Sequence, residues 1–162
     1  YIVKTNLNGG VVFQKTYGGN FLEKGMDTVS KGNGNGYMVL GQQCKHRYDV
    51  FSCGPITKVM ILDIDENGNN LDQTFLGGLK FYEFGTPMAL ANTSNDGYVF
   101  ATNPRNGGNV WLYKWGDYED NLNLKISPGG FGGESIEKTL DNGFIISTGG
   151  GTVLKTDSQL SY

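Results

Sequence analysis

The chain has 162 residues, of which 26 are Gly and only 4 are Pro, with nine Tyr and nine Phe. Its formal net charge is −3 and it carries no long basic run, which argues against nucleic acid as a partner. No apolar run approaches the roughly 20 residues that span a bilayer as a helix, so no membrane span is expected.

A Gly-rich, aromatic-rich chain suits many short strands joined by tight turns, since Gly reaches positive φ and aromatic rings favour a pleated, half-buried surface. In chain order, Tyr1 to Asn6 reads as a strand, Asn8-Gly9 as its turn and Val11 to Thr16 as the returning strand, which ends at Tyr17-Gly18-Gly19. A third strand is expected at Met26 to Ser30, and Asn35-Gly36 turns into a fourth from Tyr37 to Gly41. The order then restarts. Val59 to Ile64, the turn Asn67-Gly68, and Leu71 to Leu76 are followed by Met88 to Ala91 and by Asp96-Gly97 turning into Tyr98-Val99-Phe100. A third copy runs through Val110 to Trp115, an acidic turn, Leu122 to Ile126, Ser135 to Lys138, and Asp141-Asn142-Gly143 turning into Phe144 to Thr148. A fourth opens at Thr152 to Asp157. The Asn-Gly and Asp-Gly pairs are expected to form type I′ turns, which need φ > 0 at both central residues.

The spacing supports a repeat. Lys4 to Gly18 is 14 residues, Asp63 to Gly77 is 14, and Lys114 to Gly129 is 15. The variable stretch follows the fourth strand: Gly36 to Asp63 is 27, Gly97 to Lys114 is 17 and Gly143 to Lys155 is 12. Insertions therefore collect at 42–57, 103–109 and 149–151, as when the loops of a repeat emerge on one face. Four strands per copy of about 40–60 residues is the blade unit of a β-propeller. The expected fold is all-β, with propeller-type blades at 1–57, 58–109 and 110–151 and the start of another at 152–162. Three blades and a strand do not close a ring of about four to eight blades. The expectation is therefore a segment of a longer chain, and the alternative is a ring completed by a second copy.

The order Val3-Lys4-Thr5-Asn6, Asn8-Gly9, Lys15-Thr16-Tyr17-Gly18-Gly19, then Asn35-Gly36-Tyr37-Met38-Val39-Leu40-Gly41, resembles the propeller-type repeats of secreted bacterial and archaeal surface proteins. Those run "IKTDSNGNxxWxKTYGG…DGGYIIAG", and Leu154-Lys155-Thr156-Asp157-Ser158 matches as well. The second and third copies depart from it, with Asp63 in place of the Lys and Trp115-Gly116 in place of Thr-Asp. The resemblance implies repeat architecture and a secreted or cell-surface setting. It does not specify a ligand.

Four groups of residues are candidates for chemistry. Asp63, Asp65, Asn67 and Asn69 place oxygens at alternating positions of a D-x-D-x-N-G run, the front of a calcium loop. The twelfth position is Thr74 rather than a bidentate Glu, and Asn8-Gly9 fills the same place without the acids, so a plain hairpin turn is the competing reading. Cys44 and Cys53 share one loop, which suggests a disulfide and an oxidising compartment. With His46 they give C-x-H-x6-C, which fits no zinc pattern. His46, Arg47 and Tyr48 make that loop a contact surface for a partner. Trp111, Tyr113 and Trp115 lie on one strand face and read as core between blades or as a platform for a sugar ring, with Trp115 and nearby Tyr118 the best placed for exposure.

Asp117, Glu119 and Asp120 form an acidic turn, but glycosidase chemistry needs two carboxyls at a defined separation across a bound sugar. Asn92-Thr93-Ser94 is a glycosylation sequon expected on a turn. Among inner-strand positions only Asp63 is acidic, against Lys4, Lys114 and Lys155, which disfavours a carbohydrate-active enzyme. The functional expectation is a non-catalytic scaffold that binds a protein or glycan partner through its variable loops, with a lectin-like propeller as the alternative and calcium as the one cofactor considered.

Overall fold

The computed structural model describes residues 1–19, 21–32, 34–44, 57–76, 85–94, 97–103, 109–115, 123–126 and 132–162. Among them there is no helix. The strands are β1 (Ile2–Thr5), β2 (Val11–Lys15), β3 (Leu22–Ser30), β4 (Tyr37–Cys44), β5 (Thr57–Ile64), β6 (Asn70–Leu76), β7 (Thr86–Asn92), β8 (Tyr98–Asn103), β9 (Trp111–Trp115), β10 (Asn123–Ile126), β11 (Gly133–Lys138), β12 (Phe144–Thr148) and β13 (Val153–Thr156). They form four antiparallel sheets in the orders β1-β2, β3-β4-β5-β6, β7-β8-β9-β10 and β11-β12-β13. The chain divides into two compact units, residues 1–78 and 79–162.

The sheets are offset by two strands from the copies read in the sequence. Hydrogen bonding joins β4 to β5, with Tyr37 opposite Ile64 and Cys44 opposite Thr57. It joins β8 to β9, with Tyr98 opposite Trp115, and β12 to β13, with Phe144 opposite Thr156. The boundary expected at 57/58 therefore falls at the start of β5, and those at 109/110 and 151/152 fall between strands of one sheet. The physical reason lies in burial. On β4 and β5, Met38, Val39, Leu40, Val59, Met60, Ile61, Leu62 and Ile64 are each no more than 5% exposed. Strands apolar on both faces belong at the centre of a sheet, with neighbours on either side.

In the first unit, Phe13 of β2 packs against Val39, Leu62 and Ile64, with Ile2, Tyr17 and Tyr37 around them. This cluster seats the β1-β2 hairpin on the four-stranded sheet. Burying a side chain of Phe size stabilises by about 1.5–3 kcal/mol. In the second unit, Ala89, Ala91, Val99, Ala101, Val110 and Leu112 from one sheet meet Ile136, Phe144 and Ile146 from the other, joined by Leu160. On the other face of β8, Phe100 stacks on its cross-strand neighbour Tyr113 at 5.0 Å.

The turns differ from the type I′ expectation. In Asn6–Gly10 the Gly9 N–H bonds the Asn6 carbonyl at 3.0 Å and the Asn6 N–H bonds the Gly10 carbonyl at 2.8 Å. Asp65–Asn69, Thr139–Gly143, Thr148–Thr152 and Asp157–Ser161 repeat both bonds. In each, one residue has positive φ, the fourth: Gly9, Gly68, Asn142, Gly151 and Leu160. This is the three-residue hairpin loop in which a tight turn is followed by one left-handed residue at a bulge. The glycine of the Asn/Asp-Gly-aromatic motif has a separate purpose. A Cβ at Gly36 would lie 2.0 Å from the Ile64 carbonyl oxygen, and one at Gly143 would lie 2.0 Å from that of Thr156. These glycines let β4 and β12 start directly against the backbone of β5 and β13.

Candidate functional site

The polar side chains of the first unit gather around the turn that follows β5. Asp65 Oδ1 accepts the N–H groups of Asn67 at 2.9 Å and Asn69 at 2.7 Å, and its Oδ2 accepts the Asn69 side-chain amide at 2.7 Å. These bonds hold its carboxyl below the usual carboxylate range, the Asn69 N–H contributing most. The β1-β2 hairpin braces the turn from outside. Lys15 donates to Asn69 Oδ1 at 2.7 Å, Tyr17 donates to the Gly68 carbonyl, and Lys4 donates to the Glu66 carbonyl at 3.2 Å while lying over the Tyr37 ring. Partial burial, aided by the charge of Asp65, raises the Tyr17 phenol above its ordinary value.

Beside this turn runs an open groove of about 330 Å³, lined by Lys15, Thr16, Tyr17 and Gly18 on one side and Gly68, Asn69, Asn70 and Gln73 on the other. Its Lys and Tyr head groups are engaged with the turn, so the groove presents a polar, largely self-satisfied surface.

Three of the four residues proposed for calcium have protein partners. Asp63 forms an ion pair with Lys31, both oxygens of Asp65 accept bonds from its own turn, and Asn69 Oδ1 faces the Lys15 ammonium. No group of three or more His, Cys, Asp or Glu able to hold a metal occurs among the described residues. The first copy explains what Asp65 does. Asn6 Oδ1 accepts the N–H groups of Asn8 and Gly10, both at 2.9 Å, in the same geometry and without a charge. Asp157 repeats it toward Gln159 and Ser161. The first residue of the turn is a cap, and an amide oxygen fills the same place as a carboxylate oxygen.

The remaining candidates separate. Trp115 is half-buried and sits 6.2 Å from the Tyr98 ring, while Tyr113 is only 3% exposed against Phe100, so the aromatic stripe meets protein rings. Cys44 ends β4 and is 1% exposed, and no free cysteine occurs among the described residues. Cys53, His46, Arg47, Tyr48 and Tyr118 lie outside the described residues, as do Asp117, Glu119 and Asp120. Asn92 closes β7 rather than lying on a turn, and its Oδ1 is buried. One polar cluster escaped the sequence reading. Lys155 donates to both oxygens of Asp141 at 2.9 Å, and the Thr139 hydroxyl donates to Oδ1. The Thr139 bond, with that of Lys155 next, holds the Asp141 carboxyl well below its usual range. The available signal was a polar residue at the first or third place of each turn.

No family model matches the chain, and no curated protein matches it. Among solved structures it is similar to Kuenenia stuttgartiensis hydrazine synthase, with a TM-score of 0.64 and 16% identity. The match covers 95% of this chain and 50% of that one, so the chain spans about half the length of its structural neighbour. At this identity the likeness shows a shared fold alone.

Proposed function

We propose that the chain is a run of β-propeller blades from a secreted or cell-surface protein, acting as a non-catalytic scaffold that offers its variable connections to a protein or glycan partner. The observation that carries this reading is the use made of its carboxylates. Asp65, Asp141 and Asp157 are bound into their own hairpin turns and Asp63 into an ion pair. Acid–base or metal chemistry needs such groups to converge on one point. The successive small antiparallel sheets, three of the four built across two sequence copies, suit blades that lock neighbouring repeats together. The Cys44–Cys53 pair and the repeat resemblance support the secreted setting.

The test is a binding screen of the intact chain against a glycan array and a panel of displayed extracellular proteins, repeated with His46, Arg47 and Tyr48 changed together to Ala. The expected result is a partner whose binding the triple variant loses while thermal stability stays unchanged. Turnover of any arrayed glycan would end the non-catalytic reading. Non-reducing mass spectrometry is expected to show Cys44 linked to Cys53, and two free thiols would remove the support for secretion.

A further inference from the structure

We propose that the open edge of β1 is an acceptor for one kind of strand, carried by another polypeptide: an extended segment that runs Asp-x-Gly-aromatic and then apolar, as β12 and the turn before it do. β1, β5 and β13 hold equivalent places, each ending just before a turn with the same two backbone bonds, at Asn6, Asp65 and Asp157. β5 lies between β4 and β6, and β13 pairs with β12 in front of it, but β1 has β2 alone. Thr5 and Thr156 show the consequence, being the same residue at the same place. Thr156 stands opposite Phe144 and is 2% exposed, whereas Thr5 is exposed. Two residues earlier, Leu62 of β5 is 1% exposed and Val3 of β1 is 42% exposed.

The edge has its bonding groups in place. The Asn6 N–H faces β2, where it bonds the Gly10 carbonyl, and backbone direction alternates along a strand. Val3 and Thr5 therefore turn their N–H and C=O groups away from β2, and no strand among the described residues pairs with that edge. Such an edge takes up an extended segment through main-chain hydrogen bonds, while side chains select which one.

Two features define the segment. A Cβ on Gly36 or Gly143 would lie 2.0 Å from the carbonyl oxygen of Ile64 or Thr156. The residue that meets the equivalent Thr5 carbonyl must therefore be glycine. An aromatic follows it, as Tyr37 stands opposite Ile64 and Phe144 opposite Thr156. Charge sets the second feature. Asp63 pairs with Lys31 from the turn ahead of β4, and Lys155 pairs with Asp141 from the turn ahead of β12. Lys4 holds the place of Asp63 and Lys155, so it matches a strand led by an acid and repels one led by a lysine. Its ammonium gives one N–H to the Glu66 carbonyl and has two more for the acid. A second copy of this chain has no such strand to spare, because β4, β8 and β12 are each paired on both sides. The occupant is thus a strand of a different chain.

The probe is a synthetic peptide with the sequence from Gly133 to Gly149, which covers β11, its turn and β12. Added to the isotope-labelled intact chain, it is expected to shift the amide NMR signals of Val3 and Thr5 and to slow their hydrogen exchange. Val3→Pro removes an N–H that faces away from β2 and should abolish binding. The Gly143→Val peptide should not bind. Lys4→Glu in the chain should weaken the parent peptide about tenfold, and an Asp141→Lys peptide should recover that loss. No shift with peptide at about 1 mM, shifts confined to Val153–Thr156, or no recovery by the reversed pair would overturn the proposal. Self-association of the chain without peptide, lost in Val3→Pro, would make a second copy the occupant and overturn it as well. The proposal rests on the blade reading, and the two tests fail separately, since the variant at 46–48 leaves β1 unchanged and the β1 variants leave that loop unchanged.

Discussion

The turns Asn6–Gly10 and Asp65–Asn69 occupy equivalent places in successive copies and share the same two backbone bonds and the same side-chain cap. Their surroundings differ. A Cβ on Gly9 would meet nothing within 4 Å, whereas one on Gly68 would lie 2.7 Å from two ring carbons of Phe13. The first turn stands free at the tip of a hairpin, and the second forms part of the surface on which that hairpin rests. The third member, Asp157–Ser161, holds Leu160 at the left-handed position with φ 61° and buries that side chain to 2% exposure in the core of the second unit. One backbone device therefore does three jobs, and what distinguishes them is the packing around its fourth residue.

The largest effect is expected at the braced turn. Gly68→Ala adds the cost of a left-handed non-glycine residue to a clash with a buried ring, together about 2–5 kcal/mol. A urea midpoint no lower than that of Gly9→Ala would show that Phe13 does not bear on the turn. Next comes Leu160→Ala, expected to cost about 2–3 kcal/mol through the lost burial. Leu160→Gly relieves the left-handed conformation by about 1 kcal/mol but removes the same contacts, so it too should destabilise. A gain in stability would mean that the side chain contributes little. Gly9→Ala, with open space around it, should cost only about 1 kcal/mol.

These contrasts also mark what could be read from the sequence. The strands were legible because the apolar runs and the Gly-aromatic starts recur: β9 and β12 lie within a residue of their expected places, and β8 starts where expected. β3 begins at Leu22 rather than Met26, because Leu22-Glu23-Lys24-Gly25 lacks a two-residue alternation and its pairing slips between Gly25 and Asp27. The strand grouping was not legible, since a four-strand repeat has no intrinsic first strand and only hydrogen bonding shows where a sheet begins. Asn-Gly marks a hairpin without choosing between two left-handed residues and one. The partners of the calcium-loop residues were illegible for a related reason. The alternating acids of Asp63 and Asp65 were visible, but the commitment of Asp63 to Lys31 depends on contacts that local spacing does not encode.

The smallest effects concern charge at the caps, and their sign follows from linkage. The carboxyls of Asp65 and Asp141 both titrate below their ordinary range in the folded chain. An unfolded Asp takes up its proton near pH 3.9. Between that value and the lower folded values the unfolded chain binds more protons, so this contribution is fully present above about pH 4 and is lost as pH falls through the folded values. Both groups are open to solvent, which keeps the effect small and salt-sensitive. Urea midpoints should therefore be flat from pH 7 to 5 for these groups and fall toward pH 2. Asp65→Asn should match the parent at neutral pH and fall less in acid, because Asn6 already caps the equivalent turn with an amide oxygen. Asp65→Ala should be less stable than Asp65→Asn at every pH. Asp141→Asn should lose stability at neutral pH, where Lys155 is left without its carboxylate. If Asp65→Asn instead behaved like Asp65→Ala at pH 7, the turn would depend on the charge facing Lys15 rather than on the cap, and the equivalence of the two turns would not hold.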